Sequence, residues 1–180
     1  MIACVDTPFP RAPKEDLATV EELRDCALCG GLDDNALRWL TQHVERLELG
    51  PGTIIFREGE AAREFYLVLE GDVEIWKRPA TAENALDLGE CINMIHAKSI
   101  VGGSSVIDMQ GRLATARAAT PVVLLRVSCR AMTALYREDL KSYTMVILNV
   151  ARDLSRRLRV VNTLAASLSA QARGGPHTHD

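Results

Sequence analysis

The chain has 180 residues, with 21 Lys and Arg against 24 Asp and Glu and a formal net charge of −3. Apolar residues make up 47% and charged ones 25%, a globular balance that excludes global disorder. No apolar run approaches the roughly 18 residues of a membrane helix, residues 1–6 read as no signal peptide, and the mild acidity argues against nucleic acid as the main partner.

At this length we expect one domain, burying roughly 70% of the surface its unfolded chain would expose. The five cysteines, Cys4, Cys26, Cys29, Cys91 and Cys129, are odd in number and irregular in spacing. They read as reduced thiols of a cytoplasmic protein. Residues 1–13, with Pro8, Pro10 and Pro13, predict an irregular arm. From 14 to about 28 the positions of Leu17, Val20, Leu23 and Leu28 predict a helix, ended by Gly30 and Gly31. Asp33 or Asp34 caps a second short helix that buries Leu37, Leu40 and Val44.

From 46 to 127 the pattern changes to short β-rich runs between turn signals, as in an antiparallel roll. Strands are predicted near 53–56, 65–69, 73–75, 86–95, 97–101, 113–118 and 122–127, with a loop at 79–85. After Ser128, which caps a helix, the chain reads as helical to about residue 170, in a domain ending at 138 and a long helix over 139–171. Leu140, Thr144, Ile147, Ala151, Leu154, Leu158, Val161, Ala165 and Leu168 recur at three- and four-residue steps, a seam sustained over about four heptads. Arg152, Arg156, Arg157 and Arg159 lie outside that seam and read as a solvated face. A helix of about thirty residues spans roughly 45 Å, more than a small roll covers. The seam is therefore expected to pair with its own copy across a two-fold axis, the alternative being that it packs on its own domain. Residues 172–180 read as a disordered tail.

Two blocks carry a family resemblance. The first is Leu49-Gly50-Pro51-Gly52-Thr53-Ile54-Ile55-Phe56-Arg57-Glu58-Gly59-Glu60 followed by Phe65-Tyr66-Leu67-Val68-Leu69-Glu70-Gly71-Asp72-Val73-Glu74-Ile75. The second runs Val101-Gly102-Gly103-Ser104-Ser105-Val106-Ile107-Asp108-Met109-Gln110-Gly111-Arg112-Leu113-Ala114-Thr115. Together with the order of helices, β-run and terminal helix, over about residues 28–165, they resemble the cyclic-nucleotide-binding domain family. The fold this implies is an α+β one, a jelly-roll-like antiparallel β-roll with N-terminal helices and a long C-terminal dimerisation helix. The second block is similar to the family's phosphate-binding cassette. The amides at the start of a short helix, over Gly102, Gly103, Ser104 and Ser105, would hold a phosphate, and Arg112 would pair with it. The other reading of Arg112 is a solvated strand arginine.

The cassette departs from the family in four places. The glutamate that accepts the ribose 2′-hydroxyl falls on Gly103, and the glycine before the cassette falls near Lys98. The small hydroxylated residue after the arginine is Leu113, and the long-helix pair that some relatives set against the base is Val161-Asn162. The loss of the glutamate alone would weaken a cyclic nucleotide by about one to two orders of magnitude. The family's transcription regulators continue into a helix-turn-helix domain, which this sequence lacks, so direct DNA reading is not expected.

Other motifs weigh less. Cys26-Ala27-Leu28-Cys29 suits core packing better than a four-ligand cluster. His43 and His96 are isolated and His177 and His179 lie in the tail, so no metal centre is expected. No nucleophile elbow, carboxylate pair or NTP loop speaks for an enzyme. Trp76 and Met109 read as packing or turn residues. The resemblance thus implies a regulatory module that takes cAMP or cGMP and is read by a partner protein. A roll without ligand, serving as a dimeric interaction scaffold, is the alternative, and a thiol redox sensor a distant third.

Overall fold

A computed structural model describes residues 18–79 and 88–173. The expected arm at 1–13, nearly all of the 79–85 loop and the tail from 174 lie outside the described residues.

Thr19 opens α1 (Val20–Arg24) with a capping box, its hydroxyl accepting from the Glu22 amide while the Glu22 carboxylate accepts from the Thr19 amide. The single helix expected over 14–28 is instead interrupted. Asp25 ends α1, and a 3-10 turn at Ala27–Cys29 follows before Gly31, whose φ of 81° turns the chain. Asp33, not Asp34, caps α2 (Asp34–His43), and Leu37 and Leu40 are buried on it as predicted.

Among the described residues, eight strands then form two four-stranded antiparallel sheets: β1 (Glu45–Leu49), β2 (Ile54–Phe56), β3 (Glu64–Glu70), β4 (Val73–Lys77), β5 (Glu90–Ile95), β6 (Ile100–Val101), β7 (Thr115–Ala118) and β8 (Val122–Ser128). One sheet runs β1-β8-β3-β6 and the other β2-β7-β4-β5. The period-two alternation of β3 explains the layering. Tyr66 and Val68 join Leu47, Phe56, Val73, Ala116 and Leu124 in a core built from both sheets. Phe65, Leu67 and Leu69 face the opposite way, into a second core with Leu23, Leu28, Leu37, Leu40, Leu135, Val146 and Val150 of the helices. At the β3–β4 corner only glycine fits, because Gly71 has a φ of 80° and a Cβ there would lie 2.2 Å from the Pro121 carbonyl oxygen.

Between β6 and β7 stands α3 (Gly103–Ile107). Ser128 caps α4 (Cys129–Glu138), accepting from the Ala131 amide at 3.1 Å as predicted. The helical run expected to 170, with its long helix set to begin at 139, divides there: the Asp139 carboxylate accepts from the Ser142 amide and hydroxyl and so starts α5 (Leu140–Arg173) afresh.

Most of the seam does not pack on its own domain; Ile147 and Leu154 alone among its apolar residues lie against the helical core. Leu140, Leu158, Val161 and Leu168 are exposed, and only Ile147 and Leu154 are half-buried. The buried row of α5 is Ser142, Val146, Asn149 and Val150. Asn149 Nδ2 donates to the Leu28 and Gly30 carbonyls at 2.8 Å each, fastening the helix to the 3-10 turn. Arg157 is not part of a solvated face. It donates to the Ile100 carbonyl and pairs with Asp153 at 2.7 Å, so it anchors α5 to the strand that leads into α3.

Candidate cassette at the mouth of the roll

The turn at 57–61 and the approach to β7 are stitched together by backbone. The Gly59 amide donates to the Arg112 carbonyl and the Arg112 amide to the Glu60 carbonyl, both at 2.8 Å, and Ala61 bridges Gly111. Side chains reinforce this edge. The Glu58 amide donates to Thr115 Oγ1 at 3.0 Å, and Lys77 Nζ donates to Glu58 at 2.8 Å and to the Leu113 carbonyl at 2.6 Å. Burial alone would raise the Glu58 carboxyl, but the Lys77 ammonium and the Arg78 amide and guanidinium overcome it and hold the group below the usual carboxylate range.

This frame sends the Arg112 side chain inward. The residue is 2% exposed, so it is no solvated strand arginine. Its guanidinium carbon lies 4.0 Å above the centre of the Phe56 ring, a cation–π arrangement, and Phe56 itself stacks on Tyr66. Nη1 donates to the Gly102 carbonyl at 3.1 Å and Nη2 to Glu64 Oε1 at 3.0 Å. Nε is buried with no hydrogen-bond partner among the described residues. The Nε–Nη2 edge, which in arginine matches the two oxygens of a phosphate or carboxylate, is thus half used.

Gly102 caps α3 in the left-handed region, φ 77°, and a Cβ there would stand 2.5 Å from Arg112 Nη1. Only glycine lets the backbone lie this close to the guanidinium. Gly103 is the first residue of α3. Its missing side chain has a packing reason, since a Cβ would lie 3.2 Å from both Ile100 Cγ2 and Val150 Cγ1. The glycine lets α3 settle on α5, in the direction of the helical core. Ser104 and Ser105 continue α3, and the Ser104 carbonyl accepts from the Asp108 amide at 3.0 Å.

The predicted set is therefore only partly assembled. Gly102 and Arg112 meet, with Gly103, Ser104 and Ser105 following on α3. Leu113 is exposed, and its carbonyl accepts from Lys77. Asn162 is exposed in the part of α5 beyond Arg157. Sequence reasoning missed Glu64, Phe56 and Tyr66. The two aromatics were legible as inward positions of alternating strands, whereas Glu64, the first residue of β3, carries no pattern signal. A separate apolar concavity of about 540 Å³ lies between α3, α4 and α5, lined by Phe65, Gly103, Ile107, Met132, Tyr136 and Ile147 among others.

The remaining motifs resolve as packing. Cys26 and Cys29 are core residues, and burial, with Cys26 beside it, pushes the Cys29 thiol up to about 12. Trp76 donates to Glu74 and lies under the Arg117 guanidinium. Met109 is exposed at a turn with φ 56°.

An antiparallel roll of two sheets, interrupted by a glycine-capped helical turn and an inward arginine, defines a class of β-roll domains. Residues 46–139, more than half of the chain, match the model of the cyclic nucleotide-binding domain, and the chain belongs to that family. It is 27% identical over 149 residues to a CRP-like cAMP-activated global transcriptional regulator of Mycobacterium tuberculosis, covering 82% of this chain and 62% of the regulator. The chain therefore spans less than two thirds of that relative's length. In fold it resembles the catabolite activator protein of Thermus thermophilus, at TM-score 0.65 and 24% identity over 79% of this chain and 63% of that one. It also resembles a cyclic nucleotide-binding domain from Methylobacillus flagellatus, at TM-score 0.68 and 23% identity over 78% and 76% of the two chains.

Proposed function

We propose that this chain is a cytoplasmic, non-enzymatic regulatory module that binds a cyclic nucleotide, cAMP or cGMP, by its phosphate at Arg112 and the amides of residues 102–105. The observation that carries the reading is the state of Arg112, a buried cation with an unpaired Nε on the edge suited to a phosphate. A buried donor without an acceptor costs about 1–3 kcal/mol, and an anion at that edge removes the cost. The name of the mycobacterial relative, cAMP-activated, speaks for the same ligand class. Cys26 and Cys29 are buried thiols with no disulfide between them, which fits a reducing compartment. Ligand binding would be read out through α5, which Arg157 fastens next to the cassette, and passed to a second copy and a partner protein.

Calorimetric titration with cAMP and cGMP tests the reading. Saturable heat that disappears in Arg112→Ala is expected; silence at millimolar nucleotide, or equal binding by the variant, contradicts it.

The scaffold reading retains one specific support, the Glu64–Arg112 ion pair, which gives the guanidinium an anion from within the chain. It predicts the silent titration together with an intact dimer.

A further inference from the structure

The Glu64–Arg112 pair has an asymmetry that bears on ligand binding. Arg112 is fixed, its side chain 1% exposed between the Gly102 carbonyl and the Phe56 ring. Glu64 stands at the first position of β3 with its side chain 22% exposed. Of the two, the carboxylate is the group that can turn toward water. Its grip is also narrow, because the hydrogen bonds from Arg112 Nη2 at 3.0 Å and from Tyr66 Oη at 3.3 Å both land on the one oxygen, Oε1. Arg112 Nε, adjacent on the same edge, is left out. A phosphate at that edge would take both nitrogens, and its oxygens need the place that Oε1 fills.

We propose that Glu64 is a built-in counter-ion that a phosphate ligand must displace from Arg112, so that a carboxylate of the chain itself sets the affinity of the cassette. The inference rests on the reading of Arg112 as the ligand's anion partner. The competition has a sign. The carboxylate holds the unliganded guanidinium paired, so every ligand must first break a charge-assisted bond, and like charge repels the phosphate while Glu64 remains near. Neutralising Glu64 without changing its shape removes both effects. A charge-assisted hydrogen bond corresponds to on the order of tenfold or more in binding.

The experiment is titration of the full chain, unaltered and as Glu64→Gln, Arg112→Ala and the double variant, with cAMP, cGMP and inorganic phosphate. Glu64→Gln is expected to bind cyclic nucleotide at least tenfold more tightly than the unaltered chain, the gain vanishing in the double variant. A matching gain for inorganic phosphate supports the displacement with the bare anion as sufficient ligand; a gain confined to nucleotides supports it with the nucleoside required. If the unaltered chain binds and Glu64→Gln binds equally or more weakly, Glu64 is no competitor and the counter-ion role is overturned, while the nucleotide reading stands. Silence from every chain overturns both. A structure of the unaltered chain with bound nucleotide serves should the variants fail to fold. Oε1 beyond hydrogen-bond distance of Nη2 is expected, and an intact Glu64–Arg112 bond beside bound nucleotide overturns the inference.

Discussion

Arg112 holds a full charge where water does not reach it, and the desolvation of such a cation costs several kcal/mol. Glu64, the Gly102 carbonyl and the Phe56 face offset that cost from three directions. The frame around it depends on a second carboxylate. Glu58 is held below its ordinary value, near 4.5, against its own burial by Lys77 and Arg78. A depressed carboxylate stabilises the fold above the unfolded value, and the contribution is lost as pH falls through the lower, folded value. Thermal melts should therefore show Glu58→Gln less stable than the unaltered chain at pH 7, the gap closing below about pH 4.5. A gap independent of pH would mean that the Lys77 pairing contributes nothing. How far these residues were legible differs one by one. The Gly102-to-Arg112 spacing announced itself within ten residues. Glu64 did not, because its partner lies 48 positions away and the first residue of a strand obeys no periodicity. Gly103 was visible as a departure, but its reason, the room taken by Ile100 and Val150, exists only in the packed molecule.

Among the elements, α5 shows most clearly where pattern reading succeeds and where it stops. Its length and its apolar seam were plain, and most of that seam, from Leu158 onward, is left uncovered. The row that packs inward was not read, since it mixes Ser142 and Asn149 with Val146 and Val150 and so breaks any hydrophobic period. The start of the long helix at 139 was legible, but its cause was not: helical spacing continues on both sides, and only the Asp139 carboxylate, accepting from Ser142, marks the new start. Asn149 is the polar member with most at stake, as its amide serves two carbonyls of the turn that carries Cys29. Asn149→Ala leaves the Leu28 and Gly30 carbonyls without that donor and should cost about 2 kcal/mol in urea unfolding. It should also speed labelling of Cys26 and Cys29 by a thiol reagent under native conditions, with exposed Cys91 as the fast internal reference. Unchanged labelling would show that the turn is held by its apolar contacts alone.

At the scale of the whole molecule, two cores share the sheet β1-β8-β3-β6, one built with the second sheet and one with the helices. The strand order of this arrangement was not readable from the chain, because β1 with β8 and β3 with β6 are pairings between distant segments. What remains outside both cores is the outer half of α5, with Leu158, Val161, Leu164 and Leu168 exposed together. An uncovered stripe of that length is the mark of an interaction surface. Light scattering of the intact chain should give twice the monomer mass of 19.7 kDa. The pair Leu158→Asp and Leu164→Asp should give the monomer with the circular dichroism of the roll preserved, and a monomeric unaltered chain would refute the pairing.

The bond from Arg157 to the Ile100 carbonyl places the root of that stripe one short strand away from Gly102. Under the proposed function, a rod tied at its base to the loop that would feel an anion would make subunit affinity and anion affinity two readings of a single free energy. Whatever factor the anion adds to association, association must return to the anion. Dilution alone would then loosen the hold on the small molecule.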